Sequence, residues 1–234
     1  MYKYLAYLIY YMVSRRAVIG GVGAVVIGGI VAGGATGLVP GVSGLMGTNR
    51  PRDLGVRYTD ADYESGLQKI PGHSVTNPEY MCVTCDYVSE GSVPADATFT
   101  QEEFTAQVNT LNAEKGPVSD AQVRFNEDGT LETSAAVADS RFSGPVYAKG
   151  RIADYSPRSV RVEVEDAEVG RIGMDDARRT EVSNLVNRFI GDFFTKNPGL
   201  SVEELGVESG GVKFKGTFPE TMIGDPNVEP DSVL

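Results

Sequence analysis

Between residues 59 and 218 the apolar positions alternate between helical and strand spacing, and the predicted elements follow from that change of period. Behind Thr59-Asp60-Ala61-Asp62, the residues Tyr63, Leu67 and Ile70 fall on one helical face, and Pro71-Gly72 closes the run. Residues 71–95, rich in Pro, Asn and Ser, read as a loop. A second helix opens at Thr100-Gln-Glu-Glu103, a capping box in which the threonine hydroxyl and the glutamate carboxylate satisfy each other's backbone N–H groups. It buries Phe104, Val108 and Leu111 and ends near Lys115-Gly116-Pro117.

The period then becomes two. Ala121, Val123 and Phe125 alternate with Gln122, Arg124 and Asn126, Glu127-Asp128-Gly129 turns the chain, and Leu131, Thr133, Ala135 and Val137 return. A second hairpin carries Val146, Ala148, Gly150 and Ile152, turns at Ser156-Pro157-Arg158, and comes back through Val160, Val162 and Val164. The longest helical stripe follows: Val182, Leu185, Val186, Phe189, Ile190, Phe193 and Phe194, stopped by Asn197-Pro198-Gly199. A last hairpin runs through Leu200, Val202, Leu205 and Val207, turns at Ser209-Gly210-Gly211 and returns through Val212 and Phe214. This order predicts an α+β domain over residues 58–218, an antiparallel curved sheet of hairpins with the long amphipathic helix packed across one face. Residues 219–234, acidic and proline-bearing, read as a disordered tail.

The first forty residues obey a different rule. Ser14-Arg15-Arg16 ends a short n-region (1–16), and residues 17–39 carry no charge, long enough for a transmembrane helix with the arginines held on the cytoplasmic side. Glycine-rich and behind an arginine pair, the stretch reads either as a retained anchor or as a twin-arginine-like export signal that is cleaved. Either way residues from about 40 onward are expected outside the cytoplasm, with 40–57 as a tether; in the cleaved case the domain is secreted. Met12 is an alternative start. Gly20, Ala24, Gly28 and Ala32, and separately Gly29, Gly33 and Gly37, recur every fourth position, a spacing that lets two helices approach in lipid and leaves a homodimer through the anchor open.

Charge narrows the partners. The chain carries a net −11, and Lys3, Arg15 and Arg16 are the only charges in its first forty residues, so the exported part is more acidic still. Such a domain lacks the basic face that nucleic acid requires, and it does not spread on an anionic bilayer by charge. The membrane is met through the N-terminal helix instead.

Candidate chemistry is sparse. Cys82-Val-Thr-Cys85 lacks the further ligands of a zinc site and the βαβ setting of a thiol oxidoreductase, so an exported domain is expected to use it as a local disulfide; redox activity and a metal site are the alternatives. His73, the single histidine, lies beside Pro71-Gly72 and reads as a surface residue. Asp60-Ala-Asp62-Tyr-Glu64-Ser-Gly66 places its glycine one position late for a calcium loop, and Glu163, Glu165, Asp166 and Glu168 read as a solvated strand face. No catalytic residue, metal or cofactor is expected. Phe189, Phe193 and Phe194, with Val162, Val164 and Phe214 opposite, are either core or the lining of an apolar groove for a lipid or similar ligand.

Phe99-Thr-Gln-Glu-Glu-Phe-Thr-Ala-Gln-Val-Asn109 and Val118-Ser-Asp-Ala-Gln-Val-Arg-Phe-Asn-Glu-Asp-Gly-Thr-Leu131 resemble the opening of small membrane-anchored envelope proteins of the YpmS and LmeA kind. The resemblance continues through Val146-Tyr-Ala-Lys-Gly-Arg-Ile152, Val162-Glu-Val-Glu-Asp-Ala-Glu-Val-Gly-Arg-Ile172 and Gly210-Gly-Val-Lys-Phe-Lys-Gly-Thr-Phe218, covering about residues 96–218. It implies an elongated helix-on-sheet fold related to tubular lipid-binding domains, with an apolar cavity between helix and sheet. The cysteine loop and the glycine-rich anchor are outside that pattern. The expected function is therefore a membrane-tethered extracytoplasmic protein holding an apolar ligand. The alternative is a structural or assembly protein of the cell envelope that docks a partner chain without a cavity.

Overall fold

The computed structural model describes residues 50–224, apart from 78–79, 82–84, 86, 114–115, 139–142 and 171. The leader, the predicted span over 17–39 and Cys82 lie outside the described residues, among which no helix is long and apolar enough to cross a membrane. In chain order the elements are α1 (Asp60–Gln68), β1 (Ser74–Thr76), β2 (Tyr87–Glu90), β3 (Val93–Thr100), α2 (Gln101–Asn112), β4 (Val118–Phe125) and β5 (Thr130–Ala138). They continue with β6 (Ser143–Ser156), β7 (Ser159–Val169), β8 (Ile172–Gly173), α3 (Asp176–Lys196), β9 (Ser201–Glu208), β10 (Gly211–Phe218) and β11 (Thr221–Gly224). The fold is α+β with mostly antiparallel sheets, as the alternation of periods predicts.

The strands form three sheets instead of one. The largest has the order β4-β5-β6-β7-β8, a second β3-β10-β9, and a small third β1-β11-β2 in which β1 and β11 run parallel. The β4–β5 hairpin turns where expected, with Gly129 at φ +77, a conformation that a Cβ disfavours. Between β6 and β7 the register shifts at Lys149/Gly150, where a Cβ on Gly150 would lie 2.5 Å from the Glu163 carbonyl oxygen; glycine lets the two long strands approach and coil.

The capping box forms as read. Thr100 Oγ1 accepts from the Glu103 N–H, and the Glu103 carboxylate accepts from the Thr100 N–H. Glu103 is itself buried and also receives Lys69 Nζ at 2.6 Å and Ser65 Oγ at 2.7 Å, so one carboxylate caps α2 and ties it to the end of α1. At α3 the cap is Asp175, which accepts from the Arg178 N–H. The core joins the two larger sheets through T-shaped aromatic contacts, Phe99 on Phe104 and Phe104 on Phe125, with Phe214 on Phe218 alongside.

Both ends of the expected 58–218 domain continue. Thr221–Gly224, placed by sequence in a disordered tail, is the central strand of the small sheet, and Met222 is buried there. The expected loop over 71–95 contains β1 and β2 and the start of β3. In the expected tether, Leu54 and Val56 are buried against Tyr147. β1, β2, β3 and β11 find their partners far along the chain instead of across a hairpin turn, so no local signal announces them.

Candidate functional site

The six residues predicted to line a site belong to one apolar cluster. Val162, Val164, Phe194 and Phe214 are buried in it, whereas Phe189 and Phe193 are partly buried and pack against it. The buried stripe of α3 is Val182, Val186, Ile190 and Phe194, one residue per turn, and Leu185, Phe189 and Phe193 form a second, half-exposed stripe beside it.

The placement of α3 follows from hydrogen bonds that the apolar pattern did not announce. Asn187 Oδ1 accepts from the Val162 N–H at 2.7 Å, and its Nδ2 donates to the Val162 carbonyl at 2.9 Å. Ser183 Oγ accepts from the Val164 N–H at 3.0 Å. Backbone N–H and C=O groups lie in the plane of a sheet, so α3 runs along the edge of β7 instead of straight across the sheet face. Four helical residues rise about 6 Å and two strand residues about 6.6 Å, so i, i+4 side chains on a helix can serve every second residue of a strand running the other way.

The other edge of the five-stranded sheet uses the same device. Thr105 Oγ1 accepts from the Val123 N–H at 3.0 Å, Asn109 Oδ1 accepts from the Ala121 N–H at 3.0 Å while its Nδ2 donates to the Ala121 carbonyl at 2.8 Å, and Gln101 Oε1 accepts from the Phe125 N–H. Gln101, Thr105 and Asn109 thus pair with Phe125, Val123 and Ala121. The signal available in the sequence was a stripe of uncharged polar residues at i, i+4 beside each apolar stripe.

The C-terminal end of α3 is held by the β6–β7 turn. Arg158 donates to the carbonyls of Asn197 at 2.9 Å, Pro198 at 3.1 Å, Leu200 and Phe194, where the last helical carbonyls favour a cation. Buried Asn197 donates to Phe193 O at 2.8 Å and Tyr87 Oη at 2.6 Å.

The remaining candidates separate cleanly. Glu165 pairs with Arg151, and Glu168 pairs with Arg52 at 2.6 Å, so the carboxylate run is split among cations. Hydrogen bonds from the Thr130 hydroxyl and N–H, with Lys149 nearby, hold the Asp128 carboxyl down at about 2. Among the described residues no group of three or more His, Cys, Asp or Glu could hold a metal ion. Cys85 is buried, and no cysteine among the described residues is free. His73 is not the surface residue expected: its Nδ1 meets the Pro219 carbonyl, its ring stands edge-on to Phe218 at 5.9 Å, and burial pulls its pKa down to about 4.

The N-terminal arm is laid on one cross-strand row, Gln122-Ser134-Tyr147-Glu168, of the largest sheet. Arg52 stacks 3.7 Å above the Tyr147 ring while bonding Glu168, and the Leu54 N–H donates to Gln122 Oε1 at 2.9 Å. The arm therefore enters from the β7 side, the edge along which α3 lies. Desolvation, helped by the bond to Glu132, pushes the Tyr147 phenol well above its ordinary range. No family model matches the chain, and no curated protein and no solved structure matches it.

Proposed function

We propose that this is a membrane-tethered extracytoplasmic binding protein that takes an apolar ligand, a lipid chain by chemistry, along α3. The observation that carries this reading is the pair Phe189 and Phe193, partly buried at the margin of the apolar core, with Leu185 in line with them on the helix. Large aromatic side chains one turn apart, left accessible beside a continuous apolar interior, suit an acyl chain better than a polar substrate. Val162, Val164, Phe194 and Phe214 stand behind that rim in the same cluster. The uncharged segment 17–39, retained as an anchor, would hold the domain at a bilayer, and the arm would bring in the tether on the α3 side. Cys82 and Cys85 form a disulfide in this reading, and resistance to alkylation before reduction checks it. The element order shared with the YpmS and LmeA kind supports the same view.

Native mass spectrometry of protein purified without detergent tests it. Lipid-mass adducts are expected on the wild type and should fall by at least about fivefold in a Phe189→Ser, Phe193→Ser double variant, two apolar anchors being worth more than 1 kcal/mol together. A wild type free of adducts overturns the reading. A second reading, an envelope assembly protein that docks a partner chain, is favoured by one observation: Val162 and Phe214 are 2% and 0% exposed, so both are enclosed by protein atoms. It predicts no adduct and a partner cross-linked through the same partly buried stripe.

A further inference from the structure

We infer that α3 is a gate clasped to β7 by Ser183 and Asn187, opening locally while the rest of the domain stays folded. The inference rests on the ligand reading above and adds how the site is reached.

One helix lies along the β4 edge and the other along the stretch of β7 that β8 leaves unpaired, by the same geometry, so each is a control for the other. Helix α2 is an integral part of the core. Eight of its twelve residues are buried, among them Phe104, Val108 and Leu111, and its first turn is fixed by buried Glu103 with Lys69 and Ser65. Helix α3 has only four of twenty-one residues buried. It is held by that buried stripe, by partly buried Phe189 and Phe193 near its C-terminal end, by the three hydrogen bonds from Ser183 and Asn187, and by the Arg158 staple, so its N-terminal half carries the fewest contacts. Local opening costs least where the fewest apolar groups are buried per residue. Swinging the α3 N-terminal half away about the Arg158 staple would uncover Val162 and Val164 and the inner side of Val182 and Val186. It would leave α2 and β4 untouched.

The amide protons record this directly. The N–H groups of Val162 and Val164 are protected by α3 side chains, and those of Ala121 and Val123 by α2 side chains, all with donor–acceptor distances of 2.7–3.0 Å. Native-state hydrogen exchange, read residue by residue by NMR and corrected for local sequence, is expected to be at least about tenfold faster at Val162 and Val164 than at Ala121 and Val123. Rates within about twofold of one another at all four sites overturn the gate. Asn187→Ala, which removes the two-bond clasp, should accelerate Val162 and Val164 further and leave Ala121 and Val123 unchanged; acceleration of all four together would mean global destabilisation and also overturns it. The ligand reading fails separately. Absent lipid adducts with the exchange difference intact remove the ligand and keep the gate, and adducts with equal exchange remove the gate and keep the ligand.

Discussion

His73 shows how one side chain acquires its chemistry from residues far away in the chain. It is the only histidine, and it is seated by strand pairing across almost the whole domain, since Ser74 pairs with Thr221 and Pro219 supplies the carbonyl at Nδ1. Nε2 is buried with no partner among the described residues, so a proton added there would have neither water nor an acceptor. Burial therefore depresses the folded pKa to about 4 from an unfolded value of 6.5. The sign follows: above about pH 6.5 both states are neutral and His73 adds no pH dependence, whereas between 6.5 and 4 the unfolded chain binds a proton that the folded one refuses. Unfolding free energy should fall by about 2–3 kcal/mol across that window, a pKa unit being worth about 1.4 kcal/mol. Urea denaturation between pH 7 and pH 5 checks it, before most carboxylates titrate. His73→Asn, which keeps a donor toward Pro219 but cannot titrate, should flatten the slope; an unchanged slope would assign it to other groups. The local sequence suggested a surface residue because Pro71-Gly72 marks a turn, and nothing nearby reveals the strand that closes over it.

At the scale of elements, the sheet is defined by how its edges are closed. Exposed strand edges invite pairing with other chains, and here helices run alongside β4 and β7 with Gln, Thr, Asn and Ser side chains standing in for a neighbouring strand. Two buried threonines separate this bonding from simple burial. Thr105 Oγ1 accepts the Val123 N–H, whereas Thr133, in the middle of β5 between Val123 and Ala148, has no partner for its hydroxyl among the described residues. Thr105→Val should cost about 1–3 kcal/mol, because an edge N–H is left buried and unpaired. Thr133→Val should be neutral or stabilising, since it removes a polar atom that the core does not satisfy. Equilibrium unfolding of the pair decides it, and equal losses would show that the hydroxyl bonds are not what holds the edge. The sequence carried three helices and six of the seven long strands plainly, because each buries an apolar face with its own period; β3, whose partner β10 lies far along the chain, it did not carry. It did not carry the edge bonds, since uncharged polar residues beside an apolar stripe read as solvent-facing until the neighbouring strand is known. The lining residues were legible only as an apolar set: the interior turned Phe194 inward and left Phe193, its chain neighbour, partly exposed.

For the molecule as a whole, the arm over residues 50–58 decides how any pull from the N-terminal side reaches the domain. A glycine-rich, basic stretch read as a loose tether, yet its Leu54 and Val56 land on Tyr147. Because Arg52 lies over β6 and β7 and Leu54 reaches β4, force on the arm is shared across three strands of the sheet. Burying Leu54 and Val56 stabilises by about 1.5–3 kcal/mol each at most, with less surviving because the unfolded chain already shields some apolar surface. Arg52 adds about 1 kcal/mol through stacking, its partly exposed ion pair with Glu168 contributing little in water. Ordering the arm opposes these gains at about 1–2 kcal/mol per residue fixed. Shortening the domain to begin at Tyr58 is expected to destabilise it, because the buried Leu54 and Val56 surface and the Arg52 stack are lost together. Urea unfolding of the 41–224 and 58–224 chains measures it, and Leu54→Asp in the longer chain should reproduce most of the loss by placing a charge against Tyr147. Equal stability of the two chains would return residues 50–57 to the status of a linker, with any pull from the N-terminal side then reaching the start of α1 instead of the sheet.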